Sequence, residues 1–100
     1  MIDLSPPHLQ TVRAILDRHV PNCEVRAFGS RVNGPAKSYS DLDLAVVAPA
    51  KLNPDTLRQL KEAFEESDLP FRVDVLDWNE TSSEFQKVIE KAYEVIPAGN

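Results

Sequence analysis

Cysteine is nearly absent from this chain. Cys23 stands alone among 100 residues, so no internal disulfide can staple the fold, which fits a reducing compartment. A basic run is missing too: Lys and Arg number 11 against 16 Asp and Glu, a formal net charge of −5. A protein that grips a long nucleic acid through its phosphates needs a basic face, so that class is disfavoured. A small anionic ligand stays admissible, because local amides and a bound cation override net charge. Long apolar runs are also missing. Leu44 to Ala48 is the longest in the strand region, far below the roughly 20 residues that cross a bilayer. Met1 to Pro7 carries neither the positive region nor the apolar stretch of a signal peptide. No repeat or low-complexity segment occurs. These absences predict a cytoplasmic protein with no membrane association and one domain over residues 1–100.

What is present suits a small globular fold. With 42% hydrophobic and 27% charged residues the chain can bury a core, but a modest one that a partner or self-association could extend. Ser5-Pro6 signals a helix start, and Leu9, Val12, Ile15, Leu16 and His19 continue at helical spacing until Pro21 and Asn22. His8 and His19 read as surface or boundary residues rather than ligands. Cys23 to Phe28 predicts a first strand and Ser30 to Asn33 a single helical turn. Gly34-Pro35, Ser38 and Ser40 mark a surface loop. Leu42 to Val47 predicts a second strand, with Leu42, Leu44 and Val46 toward the core and Asp41, Asp43 and Ala45 toward a cleft.

Asn53-Pro54-Asp55 opens another helix whose buried stripe is Leu57, Leu60, Ala63 and Phe64. Phe71 to Leu76 predicts a third strand, with Phe71, Val73 and Val75 on one side and Arg72, Asp74 and Leu76 on the other. Thr81-Ser82-Ser83-Glu84 resembles a capping box before a last helix with Phe85, Val88, Ile89 and Ala92 as its apolar stripe. Trp78 and Tyr93 read as core-edge aromatics, and Tyr93 to Ile96 as extended. The loop between the first two strands is too short for a crossover helix, so they should be antiparallel. The expected class is α+β: a small mixed β-sheet with helices packed on one face.

The chemistry concentrates in Gly29 to Leu44. A Gly-Ser step after an apolar run lets backbone N–H groups approach a phosphate. Asp41 and Asp43, one residue apart on a strand, share a face and repel each other unless a cation lies between them. Asp74 falls between Val73 and Val75 with the parity to join them if the third strand lies beside the second. Asp77, next to Trp78 and Asn79, is the competing acid, in a position where turn-forming Asp is common. Either motif alone is weak; the joint arrangement is not.

That arrangement resembles the minimal nucleotidyltransferases (MNT proteins) of the polymerase β superfamily. Their signature is Gly-Ser, ten residues, Asp-x-Asp and a later strand Asp, here Gly29-Ser30, Asp41-Leu42-Asp43 and Asp74. Asn33 departs from it, because a basic residue often precedes the glycine matching Gly34, leaving Lys37 to supply positive charge. The resemblance implies a polymerase β-like fold and catalytic, metal-binding roles for Asp41, Asp43 and Asp74 with two Mg²⁺ ions. It also implies ATP held by Gly29 and Ser30, with Arg31, Lys37 and Ser40 as further phosphate contacts, although Arg31 also reads as a solvated loop residue. By the same resemblance the chain is an antitoxin that transfers AMP from ATP to a tyrosine of a HEPN-type helical toxin. Two alternatives stay open: a nucleotide-binding antitoxin that masks its toxin without turnover, and a nucleotidyltransferase acting on a small hydroxylated molecule such as an antibiotic.

Overall fold

A computed structural model describes residues 2–35 and 40–97. The elements are α1 (Pro6–His19), β1 (Glu24–Phe28), the single turn α2 (Ser30–Asn33), β2 (Leu42–Val47), α3 (Pro54–Glu65), β3 (Val73–Asp77), α4 (Ser83–Lys91) and β4 (Glu94–Val95). A 3₁₀ turn, Trp78–Glu80, joins β3 toward α4. The strands form one mixed sheet in the order β3-β2-β1-β4. β1 pairs antiparallel with β2 and β4, whereas β2 and β3 run parallel, as the α3 crossover between them allows.

The alternation along each strand sorts the sheet into two faces. On one face, register rows Val25↔Val46, Ala27↔Leu44 and Leu44↔Val75 bring apolar side chains together across strands. Val12 and Leu16 of α1 and Leu60 and Phe64 of α3 close over them to form the core. These are the helix positions that period 3.6 selects. Asn53 caps α3, its side chain accepting from the Asp55 N–H at 2.8 Å.

The opposite face carries Arg26 and Phe28 of β1, Asp43 and Ala45 of β2, and Asp74 and Leu76 of β3. Ala45 is fully buried, which corrects its expected place in an open cleft. Beside it in register, Arg26 lays its guanidinium 4.7 Å from the Trp78 ring and 4.6 Å from the Tyr93 ring. This cation–π sandwich roofs the middle of the face and gives both aromatics a structural function. The open cleft thus lies toward the strand ends that carry Phe28, Asp43 and Asp74, with Leu76 on its wall.

Two caps differ from expectation. Ser5 makes no side-chain cap bond; its carbonyl accepts from Leu9 N–H at 2.9 Å. The cap of α4 is Ser82, whose hydroxyl accepts from Phe85 N–H at 3.2 Å, so Glu84 is not placed to complete a capping box. The apolar stripe of α4 is also only partly covered. Ile89 is buried, while Phe85 is 39% exposed and Val88 57%. No helix among the described residues is long and apolar enough to cross a membrane.

Candidate active site

The centre of the site is one register row. Phe28 of β1 stands opposite Asp43 of β2, and Asp43 stands opposite Asp74 of β3. Neighbouring strands lie about 4.8 Å apart, so the two carboxylates are adjacent on one face. Asp77 is on the other side. It is buried, and its carboxylate accepts from Leu52 N–H at 2.8 Å and Asn79 N–H at 3.0 Å. Those bonds satisfy backbone donors at the ends of two connections, the turn role that its sequence neighbours suggested.

Gly29 makes the approach between the turn and the acids possible. Its φ of 82° and ψ of −158° lie in a region that essentially only glycine adopts. A Cβ built there would collide with Asp43 Oδ2. The residue that caps α2 therefore rests directly against the Asp43 carboxylate. Ser30 follows it, exposed, at the first position of the turn, where N–H groups lack helical acceptors.

The electrostatics fit a cation site. The Asp43 carboxyl is held above the ordinary carboxylate range, first by burial, then by the charges of Asp74 and Asp41, with Arg72 opposing. Asp41 is exposed just before β2. Arg72 and Asp74 form an ion pair, with Nε and Nη2 each 3.0 Å from the same Asp74 oxygen. Among the described residues, no group of three or more acidic, histidine or cysteine side chains is gathered tightly enough to hold a metal. The expected triad is thus a register pair with a charged neighbour, not a closed cluster. Its oxygen donors and the crowding of Asp43 suit a hard divalent cation, which would relieve the repulsion.

The row lines a cleft of about 850 Å³ to which Phe28, Asp43, Arg72, Asp74, Leu76 and Phe85 contribute. Phe28 and Phe85 meet edge to face with ring centroids 5.9 Å apart. The Arg72–Asp74 pair was foreshadowed by strand parity, since residues two apart share a face. Nothing local announced that Phe85 would reach Phe28.

Arg31 is buried rather than a solvated loop residue. Its Nε donates to Ser40 O at 2.8 Å, its Nη1 donates to Asp3 O at 2.8 Å, and its guanidinium lies 4.1 Å from the Phe71 ring. It anchors the stretch that leads into Asp41. Ser40 is half-buried, with its carbonyl held by Arg31. Lys37 lies outside the described residues. Arg31→Ala is expected to lower stability by about 2–3 kcal/mol in urea unfolding, because two carbonyls lose a charged donor. Arg31→Lys should recover little, since an ammonium lacks the planar fork that spans both.

Comparison with known proteins follows the same lines. Residues 10–98 match the family described as "Polymerase beta, Nucleotidyltransferase". A Haemophilus influenzae protein named probable protein adenylyltransferase MntA is 52% identical over 95 residues, covering 95% of this chain and 83% of that protein. Two solved structures share the fold. One is a toxin–antitoxin with AMP-PNP, at TM-score 0.72 and 21% identity, covering 92% of this chain and 74% of that one. The other is a tri-AMPylated Shewanella oneidensis HEPN toxin in complex with MNT antitoxin, at TM-score 0.69 and 20% identity, covering 93% and 71%.

Proposed function

Because the chain belongs to the polymerase β nucleotidyltransferase family, we propose that it is a metal-dependent adenylyltransferase that moves AMP from ATP to a tyrosine of a HEPN-type helical partner. In doing so it acts as the antitoxin of a cytoplasmic toxin–antitoxin pair. The observation that carries this reading is the contact of Gly29 with Asp43, with Asp74 next to Asp43 in register. A phosphate-directed turn and an acid pair abut, so a triphosphate at the turn brings its α-phosphorus over the acids. The relative named a protein adenylyltransferase and the fold shared with toxin–antitoxin complexes support the choice of acceptor.

In this reading Gly29 N–H and the Ser30 hydroxyl hold the β- and γ-phosphates, Lys37 and Ser40 are further phosphate contacts, and Arg31, bonded to Ser40 O and Asp3 O, fixes the stretch beside them rather than touching phosphate. Asp43 and Asp74, adjacent in register, would hold Mg²⁺, with Asp41 just before β2 completing the set as the cation draws the acids together. Two such ions, when bound, stabilise charge on the attacking and leaving oxygens. Asp74 accepts the proton of the attacking hydroxyl. The hydroxyl oxygen bonds to the α-phosphorus in line, the bond to the β-phosphate oxygen breaks, and pyrophosphate departs. Half-buried beside Asp74 and Asp41, the Asp43 carboxylate is crowded in a way that favours cation uptake.

The test is incubation of the purified chain with ATP labelled at the α-phosphate, Mg²⁺ and a purified HEPN-type helical partner. Label is expected on a partner tyrosine, located by mass spectrometry of the peptide. A wild-type pair that forms a complex and leaves every tyrosine unlabelled would overturn the reading.

A further inference from the structure

The apolar stripe of α4 is left unfinished by the fold. Ile89 is 1% exposed, but Phe85 and Val88 emerge at 39% and 57%. They are three residues apart in one helix, so they form a continuous ridge with Cβ atoms about 5–6 Å from each other. Phe85 has two surroundings at once. Its ring packs on Phe28, and it is part of the wall of the cleft that holds Asp43 and Asp74. The ridge therefore runs from the reacting carboxylates outward onto the helix. Glu84, Lys87, Glu90 and Lys91 flank it with charges of both signs, all exposed. An apolar strip with a mixed polar rim has the make-up of a protein interface. It suits neither an anionic membrane nor a nucleic acid, which call for one sign of charge.

We propose that the Phe85–Val88 ridge of α4 is the seat of the protein that presents the acceptor hydroxyl to Asp74. This rests on the adenylyl-transfer reading for the identity of the occupant. Continuity with the cleft singles out that occupant. An acceptor attacking in line must enter beside Asp74, and a tyrosine carried on a folded protein brings its own surface down onto the adjoining rim. A small hydroxylated acceptor would fill the cleft and leave Val88 uncovered.

The experiment replaces Val88, which belongs to neither the acid row nor the turn. Val88→Asp should weaken binding of the purified HEPN-type partner at least tenfold by titration calorimetry, with the melting temperature and AMP-PNP affinity kept. Val88→Ala, a better helix former, should shift affinity the same way by less. Gln10→Asp, exposed on α1, should change nothing. Partner affinity within twofold of wild type in Val88→Asp would overturn the proposal. So would a homodimer that Val88→Asp splits while partner binding persists, for then a second copy occupies the ridge. If Val88→Asp releases the partner but the wild-type pair transfers no AMP, the seat stands and the transfer reading falls. If wild type transfers AMP and Val88→Asp binds and transfers equally well, the transfer reading stands and the seat falls.

Discussion

Gly29→Ala is expected to lower nucleotidyl transfer about 100-fold, because displacing a catalytic group by about 1 Å is enough for a loss of that size. The new methyl group has two problems. Its backbone would sit at φ 82°, ψ −158°, a region that costs a residue other than glycine roughly 1–3 kcal/mol. It would also occupy the space of Asp43 Oδ2, so the carboxylate must turn away. Urea unfolding should show a loss of that order, and steady-state transfer should fall mainly in turnover. The two causes separate in a cycle with Asp43→Ala. Without the carboxylate the collision is gone and only backbone strain is left, so Gly29→Ala should cost less stability in that background. Equal costs in both backgrounds would mean that Gly29 and Asp43 do not press on each other.

Asp43→Asn should abolish transfer, by about 10³-fold or more, while making the fold more stable at neutral pH. The second half follows from the direction of the Asp43 shift. Burial and the charges of Asp74 and Asp41 raise its folded-state pKa above the ordinary 3.8. A carboxyl raised on folding favours the folded protein only while it is protonated. That contribution is fully present below the unfolded pKa and disappears as pH rises through the raised folded value. At pH 7 without divalent cation, the wild type therefore carries a charge that opposes folding, and the Asn variant does not. The melting temperature of Asp43→Asn should exceed that of wild type at pH 7, and the gap should close as pH falls below the carboxylate range. Added Mg²⁺ should narrow the gap from the other side, by stabilising the wild type more than the variant. A variant that melts lower than wild type at every pH would show that Asp43 is a structural acid. A variant that loses transfer but still neutralises its partner without ATP would favour masking over turnover.

Both experiments probe a place where stability and function oppose one another. Leu42 and Leu44, on either side of Asp43, are fully buried, so the strand cannot turn its acid out to water without exposing two leucines. Full burial of such a side chain is worth roughly 1.5–3 kcal/mol. The core thus holds a crowded carboxylate in place. Arg72 offsets part of the crowding through its pair with Asp74, and its effect on Asp43 is smaller than those of burial and the two acids.

Period-two alternation was enough to put Asp43 and Asp74 on one face and Asp77 on the other, because side-chain direction along a strand is a property of the local backbone. The short connection from β1 to β2 settled their antiparallel pairing, and Asn53-Pro54 settled where α3 begins. Those features depend on a few neighbouring residues, and all were legible in the order of amino acids. What lies over each face depends on elements far apart in the chain, and packing alone decided it. Arg31 reads as a solvated loop residue until Asp3, Ser40 and Phe71 close around it. Ala45 reads as a cleft residue until Arg26 stacks between Trp78 and Tyr93 beside it. Phe85 and Val88 match the pattern of a buried stripe, yet α4 meets the sheet through too little of its surface to cover them. Helical spacing states which side chains share a side; only the tertiary structure states how much of that side finds something to cover it.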